Sequence, residues 1–328
     1  MTASVASVRP NKSTIVRSKK EAPFALRAVR GGMSVLSRVA PEGAAVLAER
    51  MFLSPRRHPR PVAERDLLAR GTPLRLPTAY GELAAWEWEP APTAWPSILS
   101  GSQGPRVLLV HGWEGRGAQL GALVAPLTDL DFRVVAFDAA GHGDSPGERS
   151  SLFHAADAVT RAAEAFGPFH AIVTHSMGGP ATLWASRNGP LASRLVMISP
   201  PVDLRDFTRT LSRTLGLPED VRGRMHRRLG ARFGVAIENV RAEALASEMR
   251  GPLLVIHDED DREVPIACGE AIANAWPGAE LVRTRGLGHR RILRDDASLR
   301  AVVRFVAQGR PGDAARDAVR DAARREGV

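Results

Sequence analysis

Ser176 lies in Ala171-Ile-Val-Thr-His-Ser-Met-Gly-Gly-Pro180, an apolar run that passes through a serine directly into small residues. A serine on so sharp a strand-to-helix turn stands above the sheet edge over a helix N-terminus, which exposes its oxygen and favours negative charge developing there. A hydroxyl is a poor nucleophile unless a neutral imidazole takes its proton. The imidazole in turn needs a carboxylate on its other nitrogen to fix the tautomer and stabilise the imidazolium. Both groups follow downstream. Leu254-Val-Ile-His-Asp-Glu-Asp-Asp-Arg-Glu-Val-Pro265 ends an apolar run in the acids Asp258, Glu259, Asp260 and Asp261, and His289 stands in Gly286-Leu-Gly-His-Arg290. The order is serine, acid, histidine, and the chemistry it suits is acyl transfer through a covalent intermediate. For Ser176 alone, a helix N-cap is the plainer alternative.

Other segments bear on the same chemistry. Leu108-Leu-Val-His-Gly-Trp-Glu-Gly115 ends an apolar run in His111 and Gly112, a turn able to present the backbone N–H of Trp113. Together with the Met177 N–H it would bind a tetrahedral oxyanion, each donor contributing roughly 2.7 to 4 kcal/mol. His111, Gly112, Trp113 and His175 are the expected substrate contacts. His111, His142 and His257, all at strand ends, suit turn-shaping better than catalysis, and His175 points sideways off the elbow. Gly141-His-Gly-Asp-Ser-Pro-Gly147 is no dinucleotide fingerprint, because its third glycine is one place late and Pro146 interrupts the helix start. The acid run lacks a second ligand cluster, so neither metal nor cofactor is expected. Trp86, Trp88, Trp95, Trp184 and Trp276 are expected as packing.

The elements that must position these groups follow from periodicity. Unalternated apolar runs at 107–110, 133–137, 171–174, 195–198, 253–256 and 281–284, spaced by helix-length segments, predict a mostly parallel α/β sheet buried on both faces. Residues 74–78 and 82–88, around Tyr80 and Gly81, predict an antiparallel hairpin at its edge. Residues 201–250 have helical texture and no strand, and predict a helical cap inserted after the sixth strand. Its arginines, from Arg205 to Arg232, suit solvated helix faces better than an anionic substrate site.

Upstream, residues 1–22 read as disordered. Apolar residues such as Leu26, Leu36, Leu47 and Met51 predict one or two helices over 24–53, broken near Gly31, Gly32 and Pro41, and packed on the domain's flank. Residues 54–61 read as a Pro-rich linker. A basic leader over 1–65 thus precedes a domain over 66–308, and 309–328 reads as a charged C-terminal helix or tail. Residues 1–65 hold 13 Lys/Arg against 4 Asp/Glu, which is the whole net charge of +9; the remainder is balanced at 32 against 32. The body therefore offers no net attraction to nucleic acid. Peripheral membrane contact through residues 1–53 is the alternative to the packed helices. A single cysteine, Cys268, excludes an internal disulfide, and the lack of an apolar signal segment or an 18-residue apolar run points to the cytoplasm. Oligomeric state has no signature here.

With those motifs in order, residues 70–308 resemble the α/β-hydrolase superfamily, in its cap-bearing, esterase and serine-aminopeptidase-like branch. The resemblance implies Ser176 as nucleophile, His289 as base and Asp261 as orienting acid. The family's His-Gly-x-x-Asp-x-x-Val-Pro signature aligns with His257, Asp258, Asp261, Val264 and Pro265. Thr174 stands where the elbow usually has its first glycine, and Asp258 where the signature has one. The activity implied is hydrolysis of a small or medium carboxylic ester without a cofactor. Acyl transfer, thioester or amide cleavage by the same triad, and a non-catalytic ligand-binding member of the fold, are the alternatives. Haloalkane and epoxide chemistry is excluded, because it needs a carboxylate at the elbow.

Overall fold

The computed structural model describes residues 24–91 and 104–309; the expectations for residues 1–22, Trp95 and the tail beyond 309 lie outside the described residues. Three helices open the chain: α1 (Phe24–Val39), α2 (Pro41–Leu53) and α3 (Val62–Ala69). The hairpin β1 (Thr72–Thr78) and β2 (Gly81–Trp88) follows, then β3 (Arg106–Val110), α4 (Val124–Thr128), β4 (Arg133–Phe137) and α5 (Leu152–Phe166). The elbow joins β5 (Phe169–His175) to α6 (Gly178–Ala185). Between β6 (Ala192–Ile198) and β7 (Leu253–Asp258) lies the cap, built from α7 (Leu204–Leu215), α8 (Glu219–Phe233) and α9 (Ala242–Glu248). The fold closes with α10 (Ile266–Ala275), β8 (Glu280–Thr284), α11 (Gly288–Arg291) and α12 (Asp296–Ala307).

The eight strands form one sheet in the order β1-β2-β4-β3-β5-β6-β7-β8, antiparallel from β1 to β4 and parallel beyond. Successive strand residues point to opposite faces, and both faces are covered, which is why the apolar runs do not alternate. Leu108, Val110, Val135, Ile172, Met197 and Val255 face α5, α6 and α10. Val107, Leu109, Val134, Val173, Val196 and Ile256 face α4 and α12. β3 lies between β4 and β5, so the chain reverses its direction of travel across the sheet at β3 and β5, the point where loops diverge at the strand ends and α/β sheets take their ligands. Val110 pairs with Thr174, which sets the turn after β3 beside Ser176.

The leader departs from expectation in four respects. Gly31 and Gly32 do not break α1; of the expected breaks only the one near Pro41 occurs, with Ala40 between the helices, because proline suits the first position of a new helix. The two helices pack on the cap and not on the hydrolase body. Met33, Ala44, Ala45, Ala48 and Leu53 form a cluster with Val221, Met225, Leu229 and Ile237. The packed face of α2 is alanine, while Leu47 and Met51 are 40% and 36% exposed. The buried Glu49 accepts from Arg228 Nε at 2.6 Å and Arg232 Nε at 2.7 Å, and Glu42 pairs with Arg224, so three cap arginines hold α2. The boundary at 65/66 falls inside α3. Among the described residues no helix is long and apolar enough to cross a membrane.

Candidate active site

Ser176 sits at the end of β5 with φ of 52°, a left-handed conformation that costs a non-glycine residue about 1–3 kcal/mol and persists only where the surroundings enforce it. Its N–H donates to Ile198 O at 2.9 Å, and its carbonyl accepts from Gly179 N–H at 3.0 Å. Two glycines make room. A Cβ at 178 would stand 2.7 Å from Val110 O, and one at 112 would stand 2.7 Å from Ser176 Cβ and 3.3 Å from its Oγ. Thr174 is accommodated because its hydroxyl turns along the sheet and donates to Val196 O at 3.0 Å.

His289 Nδ1 donates to Asp261 Oδ2 at 2.7 Å, and Asp261 Oδ1 accepts from the N–H groups of Glu263 and Val264 at 2.8 and 2.9 Å. Burial by itself would raise the Asp261 carboxyl. The His257 and His289 imidazoles and the Val264 N–H outweigh it and hold the group well below the usual carboxylate range. His257 Nε2 donates to Val264 O at 2.9 Å and lies 3.6 Å from Asp261 Oδ2. The fully buried Asp258 has another task. Its carboxylate accepts from Thr284 Oγ1 and from the N–H groups of Asp260, Leu287 and Gly288 at 2.8–3.0 Å, fixing the loop that delivers His289. Each acid is therefore spent on a different partner.

Among the described residues no hydrogen bond is made by Ser176 Oγ, and the N–H groups of Trp113 and Met177 have no acceptor. Serine and histidine are linked through the backbone instead: His175 Nε2 donates to His289 O at 2.9 Å. That bond corrects one expectation. His175 is 4% exposed, and burial, with His289 alongside, takes its pKa down to about 3, so it is a neutral strut and not a substrate contact. His111 is corrected likewise. It is 3% exposed, Nδ1 donates to Gly112 O at 2.7 Å, and Nε2 accepts from Ala139 N–H at 2.9 Å. Burial lowers its pKa to about 4. Gly112 stays against Ser176, and Trp113 is half-buried with its ring edge-on to His142, centroids 5.5 Å apart.

One acid escaped the sequence reading. Asp138, fully buried at the end of β4, accepts from the N–H groups of Gly117 and Asp144 at 2.8 Å and from Arg60. An acid directly after an apolar strand was the available signal. In the cap, a cavity of about 710 Å³ is lined by Arg205, Arg209, Arg222 and His226 among others, and by none of Ser176, Asp261 and His289. Arg205, Arg209 and Arg222 are paired there with Asp203, Asp206 and Glu219.

The family model described as "Alpha/beta hydrolase family" matches residues 107–305. A pimeloyl-[acyl-carrier protein] methyl ester esterase of Xanthomonas campestris pv. campestris is 29% identical over 62% of this chain and 96% of the relative. A serine hydrolase-like protein of Danio rerio is 37% identical over 112 residues, 32% of this chain and only 30% of that relative's length. Among solved structures, Est1E from Butyrivibrio proteoclasticus superposes with a TM-score of 0.54 at 18% identity over 72% of this chain and 96% of the other. A Pyrococcus furiosus esterase gives a TM-score of 0.55 at 18% identity over 77% and 98%. With this sheet order, a serine elbow after β5 and a family match spanning β3 to α12, the chain belongs to the alpha/beta hydrolase family.

Proposed function

We propose that the protein hydrolyses a carboxylic ester through an acyl-enzyme on Ser176. The observation that carries this reading is the 2.7 Å bond from His289 Nδ1 to a buried, ionised Asp261, on the loop next to a strained serine. With Nδ1–H committed to Asp261, the other ring nitrogen, Nε2, is left as the base. Ser176 Oγ attacks the ester carbonyl while His289 Nε2 takes its proton. The oxyanion is received by the Trp113 and Met177 N–H groups, which have no acceptor of their own within the described residues. Collapse expels the alcohol with the proton from His289, and water then repeats the sequence on the acyl-enzyme, releasing acid and free serine.

The Xanthomonas relative, named as a methyl ester esterase, and the Pyrococcus furiosus esterase support an ester with a small alcohol as leaving group. A panel of p-nitrophenyl esters of rising acyl length, with one thioester and one aminoacyl amide added, tests the reading. Ester turnover that survives a chelator, with a fluorophosphonate labelling Ser176 alone, is the expected result. No turnover and no label on Ser176 overturns it.

A further inference from the structure

The turn that carries the Trp113 N–H is held from outside the hydrolase body. Gly115 N–H donates to Gly112 O at 3.1 Å, closing a four-residue turn in which Glu114 takes φ of 54°. A non-glycine residue keeps that conformation only where its surroundings over-determine it. Here the Glu114 N–H donates to His142 Nε2 at 3.0 Å. Its carboxylate accepts from Arg56 three times, from Nε at 2.9 Å and from Nη2 and the backbone N–H at 3.3 Å, with His58 Nε2 at 3.4 Å. Burial would raise the Glu114 carboxyl, but these partners keep it below its ordinary value.

The same segment grips both walls of the mouth. Arg116, two residues beyond Glu114, is paired through Nε and, at 2.9 Å, through Nη2 with the buried Glu64 of α3. Across the mouth, Arg57 donates to the carbonyls of Gly143, Ser145 and Gly147, and Arg60 pairs with Asp138 and Asp144. Residues 54–61 are therefore not a linker. They run from α2, which is ion-paired to the cap, to α3, which is ion-paired to the body, and every basic side chain between them is bonded to an active-site loop.

We propose that residues 54–64 form a strap that positions the oxyanion turn, with Arg56 and Glu64 as positioning residues that act through Glu114 and Arg116 on the Trp113 N–H. The inference rests on the serine-hydrolase reading above. If the strap works this way, its loss weakens the transition state and leaves ground-state binding alone.

Arg56 is the variant of choice, because its side chain is 80% exposed and its removal leaves the core intact. Arg56→Ala should lower kcat on a p-nitrophenyl ester by about tenfold with KM within about twofold, a fraction of what deleting an oxyanion donor costs. It should weaken by the same factor the Ki of a trifluoromethyl ketone, whose hemiketal oxygen occupies the hole. Arg56→Lys should recover part of the loss. Arg56→Ala combined with Glu114→Gln should lose no more than the worse single variant, since both remove the same ion pair. Glu64→Gln should shift kcat and Ki in the same direction from the other end, and Arg50→Ala, on the exposed face of α2, should shift neither. Unchanged kcat and Ki for Arg56→Ala, additive losses in the double variant, or a fall in kcat with an unchanged Ki overturns the strap while leaving the hydrolase reading in place. A wild-type protein that turns over no ester and takes no label overturns both.

Discussion

Removing the Ser176 hydroxyl tests the chemistry most directly. Ser176→Ala should lower kcat by about 10⁶-fold, the loss typical of a serine nucleophile that works as a unit with its base. Thermal unfolding should stay unchanged, because Oγ bonds to no described residue. The two acids separate cleanly. Asp261→Asn should cost about 10⁴ in kcat, since an amide cannot hold the productive imidazole tautomer. Asp258→Asn should instead cost about 2 kcal/mol of stability, through loop N–H groups left without an anionic acceptor, and less kcat than Asp261→Asn. Matched kinetics and urea melts of the two variants check this. The reverse pattern would move the triad acid to Asp258.

Among the elements, α2 behaves as part of the cap. Its alanine face lets α8 approach closely, and Glu49, with 4% of its side chain exposed, is held by two arginines that are themselves 37% and 41% exposed. Screening of the arginine side discounts the pair, so Glu49→Ala should cost about 2 kcal/mol, not the larger penalty of a fully buried ion pair. Calorimetry measures it. Deleting residues 1–22 should leave kcat unchanged, whereas deletion through Arg65 removes Arg56, Arg60 and Glu64 together and should abolish activity even where folded protein is recovered. Equal kcat for the longer deletion and the full chain would show that the leader is independent of the site.

For the molecule as a whole, acid is the vulnerable direction. His111, His142, His154 and His175 have folded pKa values of about 4, 3, 4 and 3 against an ordinary 6.5, each because burial penalises the cation. Between those values the unfolded chain binds protons that the folded chain refuses. Stability from these groups is therefore complete above pH 6.5 and is lost as pH falls toward 3–4, with a slope of up to about 1.4 kcal/mol per pH unit for each proton. Urea titrations at pH 7, 6 and 5 should show a falling midpoint; a flat midpoint would place the histidines in solvent. The leader's positive charge also acquires a use at this scale. Arg56, Arg57 and Arg60 are spent on the acids and carbonyls of the mouth, not displayed as a free basic face.

The strands, their parallel order and the serine, acid and histidine loops were legible from the chain alone, because burial on both faces leaves unbroken apolar runs and catalysis needs particular residue types at strand ends. Local periodicity also marked the cap. Contacts between distant segments are another matter. That Arg56 meets Glu114, 58 residues away, and that Glu49 meets Arg228, 179 residues away, leaves no trace in either neighbourhood, since one arginine among 42 looks like any other. His175 was misassigned for the same reason. Whether a polar group faces substrate or braces the loop that does is set by which backbone N–H and C=O groups the folded sheet brings within 3 Å of it, and only the tertiary structure decides that.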